Sequence, residues 1–263
     1  MTKRFSRAAQ PILTGFLVLV TVTVAHADFI AVPIAVQNIE GNLSNAAPFN
    51  TGTLPSQRYQ QVYAASDFGS LDVLLITALA FRPEYKNETP FLVTLPDIQI
   101  NLSTTARQPD HLSPAFLSNL GADDTVVFAR GSLSLSSAVI GPDQGPKDFD
   151  VLINLQNPFI YNPAKGNLLL DVRNFQGGNL GFSLDAEATD GDGVSRVFTN
   201  GSIPVGVDSP VGATDAISTL GLVTRFTVTP AAAVVPDEPS TFTLLAMGML
   251  ALLTSVKCGF WKF

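Results

Sequence analysis

Short apolar runs separated by turn residues fill the middle of the chain. Apolar and polar positions alternate within residues 98–102 and 133–136, as expected for strands that have one packed and one hydrated face. Breakers such as Gly141-Pro142 and Gly145-Pro146 separate the runs. The pattern predicts strands at residues 29–36, 71–81, 91–102, 125–135, 149–155, 168–172, 194–198 and 217–228.

Only one segment carries the end signals of a helix. Ser113 is a suitable N-cap, Pro114 suits the first helical position, and Gly121 follows the last. Because the other runs are strand-like and no helices lie at βαβ spacing, the pattern predicts an all-β fold: an antiparallel, jelly-roll-like β-sandwich. A β-helix is the alternative, but no fixed repeat period favours it.

Residues 1–27 have the three-part layout of a secretory signal peptide. Basic residues at positions 3, 4 and 7 precede an apolar run at 12–24, and Ala25 and Ala27 provide an Ala-x-Ala cleavage site. Cleavage after Ala27 would leave Asp28 as the first residue. A buried strand or an uncleaved anchor is the alternative, because the run is rich in Val and Thr.

The C-terminal end carries a second apolar segment. Residues 241–256 are too few for the ~20 that a membrane-spanning helix requires. Extension through Trp261 supplies the length if Lys257 snorkels towards the head groups and Trp261 lies at the interface. Lys262 completes a short basic tip. The segment predicts a single transmembrane helix, with a C-terminal helix docked on the domain as the alternative.

A short motif precedes this apolar segment, comprising Pro236, Asp237, Glu238, Pro239 and Ser240. Together with the apolar segment it resembles the PEP-CTERM sorting signal, in which a Pro-Glu-Pro motif is followed by one hydrophobic helix and a basic end. Here Asp237 is inserted into the motif. The resemblance implies processing by an exosortase, an integral-membrane cysteine protease or transpeptidase of Gram-negative bacteria that typically also export polysaccharide.

The body of the chain also resembles a group of uncharacterised PEP-CTERM proteins, and this likeness brings no known activity. It is carried by residues 58–63, 76–82, 100–105, 166–172 and 221–226. The expected organisation is a signal peptide at 1–27, a β-sandwich domain at 28–230, a linker with the sorting motif at 231–240, and a transmembrane helix with its short basic tip at 241–263.

Charge and cysteine content exclude several classes of protein. Loss of the signal peptide would change the balance from 15 basic and 22 acidic residues to 12 and 22, a formal net charge of −10. Such a chain repels phosphate backbones, so no nucleic-acid partner is expected. The single cysteine, Cys258, lies near the C-terminus. With no cysteine and one histidine in the mature body, the usual zinc sites are excluded.

Catalytic signals are weak. His111 is the one histidine left after signal cleavage, and Asp110 precedes it, but no G-x-S-x-G nucleophile elbow is present. A pair of carboxylates could hydrolyse glycosides. However, the body has four Tyr and no Trp to stack sugar rings. The sequence therefore predicts that the protein is not an enzyme.

Residues 185–193 form the most metal-like stretch, with hard oxygen ligands of the type that Ca²⁺ prefers. Asp190 and Asp192 are the weak calcium candidates, although the spacing does not match an EF-hand. The alternative is a solvated hairpin turn, in which Asp190-Gly191 and Asp192-Gly193 satisfy turn geometry. No other cofactor is expected.

These observations predict an exported, non-enzymatic surface or extracellular-matrix protein. Its expected partners are the secretion machinery, an exosortase, the inner membrane transiently through the C-terminal helix, and exopolysaccharide in a biofilm matrix. Two alternatives remain: a secreted carbohydrate-active hydrolase on a β-sandwich, and a periplasmic protein that stays anchored in the inner membrane because its tail is never cut.

Overall fold

A computed structural model describes residues 27–52, 54–69, 72–87, 89–178, 181–199, 206–213 and 218–231. These residues form strands and short 3-10 turns. The strands are β1 Asp28–Val32, β2 Leu43–Asn45, β3 Gln57–Tyr63, β4 Leu74–Phe81, β5 Phe91–Thr105, β6 Thr125–Ser137, β7 Val151–Tyr161, β8 Asn167–Asn174, β9 Leu184–Glu187, β10 Val194–Phe198, β11 Gly221–Leu222 and β12 Thr224–Pro230. The 3-10 turns are Ile34–Val36, Ala65–Phe68, Phe116–Ser118 and Pro163–Lys165. The prediction of an all-β fold is confirmed.

The strands form three antiparallel sheets. The four-stranded sheet has the order β1-β12-β4-β7, and the five-stranded sheet has the order β10-β3-β8-β5-β6. A three-stranded sheet has the order β11-β9-β2. Most neighbouring strands are distant in sequence. For example, β1 pairs with β12 at the opposite end of the described chain.

One apolar core joins the four-stranded and five-stranded sheets. Ile76 and Phe226 of the four-stranded sheet belong to the same buried cluster as Ile100 and Val172 of the five-stranded sheet. The ring centroids of Tyr63 and Phe226 are 5.0 Å apart in an edge-to-face arrangement that aromatic pairs favour. Each sheet therefore hides its apolar face by packing on the other.

Strand β3 departs from the alternating pattern because all seven of its residues are buried. Arg58 forms an ion pair with Asp171 of β8, with an Nη2–Oδ2 distance of 2.5 Å. Gln60 donates to the same oxygen at 3.2 Å and accepts a hydrogen bond from Asn119 at 2.9 Å. Buried polar groups are tolerated where such bonds satisfy them.

Several predicted strand boundaries are wrong. The strand predicted at 29–36 ends at Val32, because the chain turns at Pro33 into the 3-10 turn Ile34–Val36. The single strand predicted at 217–228 is two strands, β11 and β12, which belong to different sheets. Strands β2, β3 and β9 were not predicted, since polar residues interrupt or dominate their sequences.

The helix predicted at 113–121 is also wrong. The segment contains only the 3-10 turn Phe116–Ser118, and Ala115 is extended, with φ −75° and ψ 108°. Ala115 forms an isolated β-bridge with Val211, and Phe116 N–H donates to the carbonyl of Pro210. Ser113 Oγ accepts from Ala115 N–H at 3.1 Å, so it stabilises a local turn instead of capping an α-helix.

The predicted end segments lie mostly outside the described residues. Ala25 of the cleavage site lies outside them, whereas Ala27 is exposed without regular structure and Asp28 begins β1. The tail residues Pro236, Asp237, Glu238, Pro239, Ser240, Lys257, Trp261 and Lys262 also lie outside. Among the residues that the structure describes, no helix is long and apolar enough to cross a membrane.

Candidate functional site

The two calcium candidates lie on the turn that connects β9 to β10. These strands belong to different sheets, so the turn is not part of a hairpin. The carboxylate of Asp192 accepts hydrogen bonds from the N–H groups of Thr189 and Val194, at 3.1 and 2.9 Å. Gly191 and Gly193 have φ values of 77° and 96°, which favour glycine. Turn geometry therefore explains the Asp-Gly pairs.

Two carboxylates from distant parts of the chain lie beside this turn. Asp67 and Asp110 join Asp192 around a concavity of about 280 Å³. Asp110 Oδ2 accepts from Gly191 N–H at 3.0 Å, and Asp67 Oδ2 accepts from Ile34 N–H at 3.3 Å. Burial, with smaller contributions from the charges of Glu187 and Asp110, raises the pKa of Asp192 to about 6 even though its two backbone hydrogen bonds lower it. Calcium binding at Asp190 and Asp192 stays a prediction.

The first part of the predicted acidic loop is a buried strand. Asp185 and Glu187 lie on β9 and are 0% and 6% exposed. Both carboxylates face the loop before β2, where Asp185 Oδ1 accepts from Gly41 N–H at 3.0 Å. Glu187 accepts from the backbone N–H of Asn42 at 3.1 Å and from its side-chain amide at 2.6 Å. Both carboxylates therefore act as hydrogen-bond acceptors within the fold.

A cluster of three carboxyl groups, which we call the carboxyl trio, comprises Glu40, Glu84 and Asp185. One oxygen from each lies within 4.8 Å of the others. Glu40 Oε1 accepts from Tyr85 N–H at 2.9 Å, while its buried Oε2 has no hydrogen-bond partner among the described residues. Burial raises the pKa of Glu40 to about 7, and the charge of Asp185 adds to the effect. At neutral pH the trio therefore binds a proton readily.

Arg82 provides the positive charge next to the trio. Its side chain is 1% exposed, and its Nε donates to Asp185 Oδ2 at 2.6 Å. Its Nη2 donates to the carbonyls of Val36 and Ile39, at 3.0 and 2.5 Å. Because these bonds hold residues 36–42 against β4 and β9, Arg82 and the trio form a structural clip.

Sequence reasoning missed this clip for a physical reason. Its members come from positions 40, 82, 84 and 185, and only Arg82 and Glu84 share a local pattern. The pairing of β9 with β2 brings the rest together. No motif spacing in the sequence could have revealed it.

The two residues weighed for catalysis, Asp110 and His111, engage different surroundings. His111 is exposed. Asp110 uses Oδ2 to accept from Gly191 and its N–H to donate to Ser195 Oγ at 2.8 Å. Within the described residues no hydrogen bond joins Asp110 to His111, so the two do not form the base and orienting acid of a triad.

Another concavity, of about 590 Å³, contains Asp148, Phe149 and Asp150 together with Arg82 and Arg225. The two guanidinium carbons lie 5.0 and 5.1 Å from the centroid of the Phe149 ring. Cation–π contacts therefore already engage the aromatic ring that lines this concavity. This concavity gives the hydrolase alternative no specific support.

No family model matches the chain, and no curated protein matches it.

Proposed function

We propose that the chain is an exported, non-enzymatic surface or extracellular-matrix protein whose tail is processed by an exosortase. In this proposal a signal peptide is removed after Ala27, a jelly-roll-like β-sandwich folds outside the cytoplasm, and a C-terminal helix holds the protein in the inner membrane until the tail is cut. Exopolysaccharide is the proposed matrix partner. The two packed antiparallel sheets support the sandwich.

One observation carries the proposal: the described strands all lie within the interval between the two terminal signals. Strand β1 begins at Asp28, the residue that cleavage would leave first. Strand β12 ends at Pro230, where the linker begins. Removal of residues 1–27 therefore removes none of the strands that the structure describes, and neither does cutting within 236–240.

The pairing of β1 with β12 supports delivery from one membrane. Asp28 lies opposite Val228 in an antiparallel register. The start of the mature chain and the exit towards the tail therefore lie at the same end of one sheet. Both terminal signals can therefore engage one bilayer from the same end of this sheet.

Variants of the sorting motif test the proposal. Glu238→Ala with Pro239→Ala should leave export intact and trap the protein at full tail length in the inner membrane. Asp237→Ala is the matched control, because Asp237 is the residue inserted into the family motif, and the control should be trimmed like the wild type. Membrane fractionation and intact mass provide the measurement. Normal trimming and release of the double variant would overturn the assignment.

A further inference from the structure

Three exposed apolar side chains lie on the strands near Ala231, the last residue that the structure describes, or next to those strands. Phe29, Val73 and Ile160 are 62%, 36% and 64% exposed. The last described residue, Ala231, donates its N–H to the carbonyl of Val73 at 2.7 Å. We call these three side chains the exit patch.

The strand register places Phe29 and Ile160 on one face. Phe29 lies opposite Thr227, and Thr229 lies opposite Leu75, which lies opposite Ile160. The intervening Val228 points into the core and is 2% exposed. Thr227 and Thr229 therefore share the outer face, and Phe29 and Ile160 lie on that face with them.

This outer face is poor in charge, although the chain as a whole is acidic. Among the residues of its four strands, only Asp28 and Arg225 carry a charge. The guanidinium carbon of Arg225 lies 4.7 Å from the centroid of the Phe29 ring, and its Nη2 donates to the Phe149 carbonyl. A sheet face that contacts only water normally carries charged and polar residues, at every second position of each strand. Near the exit patch this face instead consists of apolar side chains and threonines, which suit contact with a less polar partner, whereas the exposed amides of Asn154 and Gln156 lie further along β7.

The linker keeps the exit patch close to the proposed membrane segment. Residues 231–240 separate the body from the apolar segment at 241–256. A chain of this length spans at most about 35 Å, and a flexible one has a root-mean-square span of about 18 Å. Such a short tether creates a high effective concentration, so a small apolar surface is sufficient for contact.

We propose that the exit patch and the adjoining outer face of the four-stranded sheet rest on the lipid surface of the membrane that holds the tail. This inference rests on the proposed function, because it requires the tail to be inserted. Asp28 and Asp72 border the patch, and the α-amino group of the mature N-terminus and the guanidinium of Arg225 offset their charges, so the proposed partner is a zwitterionic surface. The patch would contact the head groups and the upper part of the acyl chains.

Tryptophan fluorescence can test this contact because Trp261 is the only tryptophan of the chain. The signal-free full chain carrying Phe29→Trp and Trp261→Phe is reconstituted into zwitterionic vesicles with brominated acyl chains, which quench nearby tryptophan. The control carries Leu92→Trp and Trp261→Phe. Leu92 is 77% exposed on β5, in the other sheet. Both positions are exposed, so the folded core accommodates either reporter.

We expect brominated lipid to quench the Phe29→Trp reporter at least twofold more than the Leu92→Trp reporter. Adding Ile160→Asp should reduce the quenching of the Phe29→Trp reporter at least twofold. The unaltered chain reports insertion of the tail through Trp261. Quenching of Trp261 without preferential quenching of the Phe29→Trp reporter would support insertion of the tail but overturn the contact of the exit patch with lipid.

Two further outcomes would also contradict the inference. Absence of quenching at Trp261 and at the Phe29→Trp reporter would overturn both the anchor and the contact. A blue shift of the Phe29→Trp reporter that increases with protein density, without quenching by brominated lipid, would show that a second copy of the chain covers the patch.

Discussion

The five-stranded sheet contains many charged residues, whereas the four-stranded sheet contains almost none. Six charged residues lie on the strands of the former: Arg58, Asp97, Arg130, Asp171, Arg173 and Arg196. The strands of the latter carry only Asp28 and Arg225. Both sheets use the same apolar core, so their difference concerns the other face and the ends of the strands.

The comparison separates two kinds of stabilisation. The five-stranded sheet uses ion pairs and amide bonds that fix partners at defined positions, as in the bonds of Arg58 and Gln60 to Asp171. The four-stranded sheet depends on apolar burial and backbone pairing, and it contains β1 and β12, the first and last strands that the structure describes. We therefore expect the loss of one polar atom from the five-stranded sheet to lower the stability of the fold strongly. Changes on the surface of the four-stranded sheet should lower it little.

The largest expected effect follows from breaking the buried ion pair. Asp171→Asn leaves Arg58 buried without its countercharge and should lower the free energy of unfolding by about 3–5 kcal/mol. Asp97→Asn is the matched control in the same sheet, because its partner Arg130 is 54% exposed. The control should cost much less. Equal losses in chemical denaturation would contradict the distinction between buried and exposed pairs.

A smaller effect is expected from a buried hydrogen bond that links the two sheets. Tyr63 of β3 and Thr224 of β12 share a buried bond of 2.9 Å between their hydroxyl groups. Tyr63→Phe removes it and should cost about 1 kcal/mol, while the packing of the ring on Phe226 remains. Thr224 keeps its second bond, to the carbonyl of Leu222. A loss above about 3 kcal/mol would show that the bond does more than link the sheets.

The carboxyl trio at the three-stranded sheet should make stability depend on pH. The pKa of Glu40 rises from 4.5 to about 7 in the folded protein, mainly through burial. The folded state therefore binds the proton of Glu40 more tightly than the unfolded state does. The stability that this proton provides is lost as the pH rises from about 4.5 to about 7. Glu40→Gln should raise the melting temperature relative to the wild type at pH 8 and leave it unchanged at pH 4. An equal difference at both pH values would contradict the titration of Glu40.

Calcium should have the smallest effect. The carboxylate of Asp192 already accepts two backbone hydrogen bonds, so we expect at most a weak site at Asp190 and Asp192. At a calcium concentration equal to the dissociation constant, binding would add about 0.4 kcal/mol to stability. Melting curves in millimolar calcium and in chelator provide the comparison, with Asp190→Asn as the control. A large shift that survives Asp190→Asn and Asp192→Asn would place calcium elsewhere.

The sequence predicted the apolar strands well and the polar strands poorly. Val194–Phe198 forms a strand at the predicted bounds, and β4 ends at the predicted residue, Phe81. Strand β3 was missed because four of its seven residues are Arg or Gln. Their burial depends on Asp171, Asn119 and the carbonyl of Leu222, which are remote in sequence.

The candidate sites were predicted less completely than the fold. Turn chemistry explained Asp190-Gly191 and Asp192-Gly193, because glycine φ values are a local property. The carboxyl trio and the approach of Asp110 to Gly191 arise from contacts between distant segments. Local patterns carry no signal for such contacts.

Intact-mass measurement of the native protein, recovered from separate cell fractions, tests the central claim most directly. The account predicts that the inner-membrane form begins at Asp28 and retains the tail, and that the surface or matrix form begins at Asp28 and ends near Pro236–Ser240. A single form that begins at Met1 and keeps the full tail in every fraction would contradict both the export and the sorting of this chain.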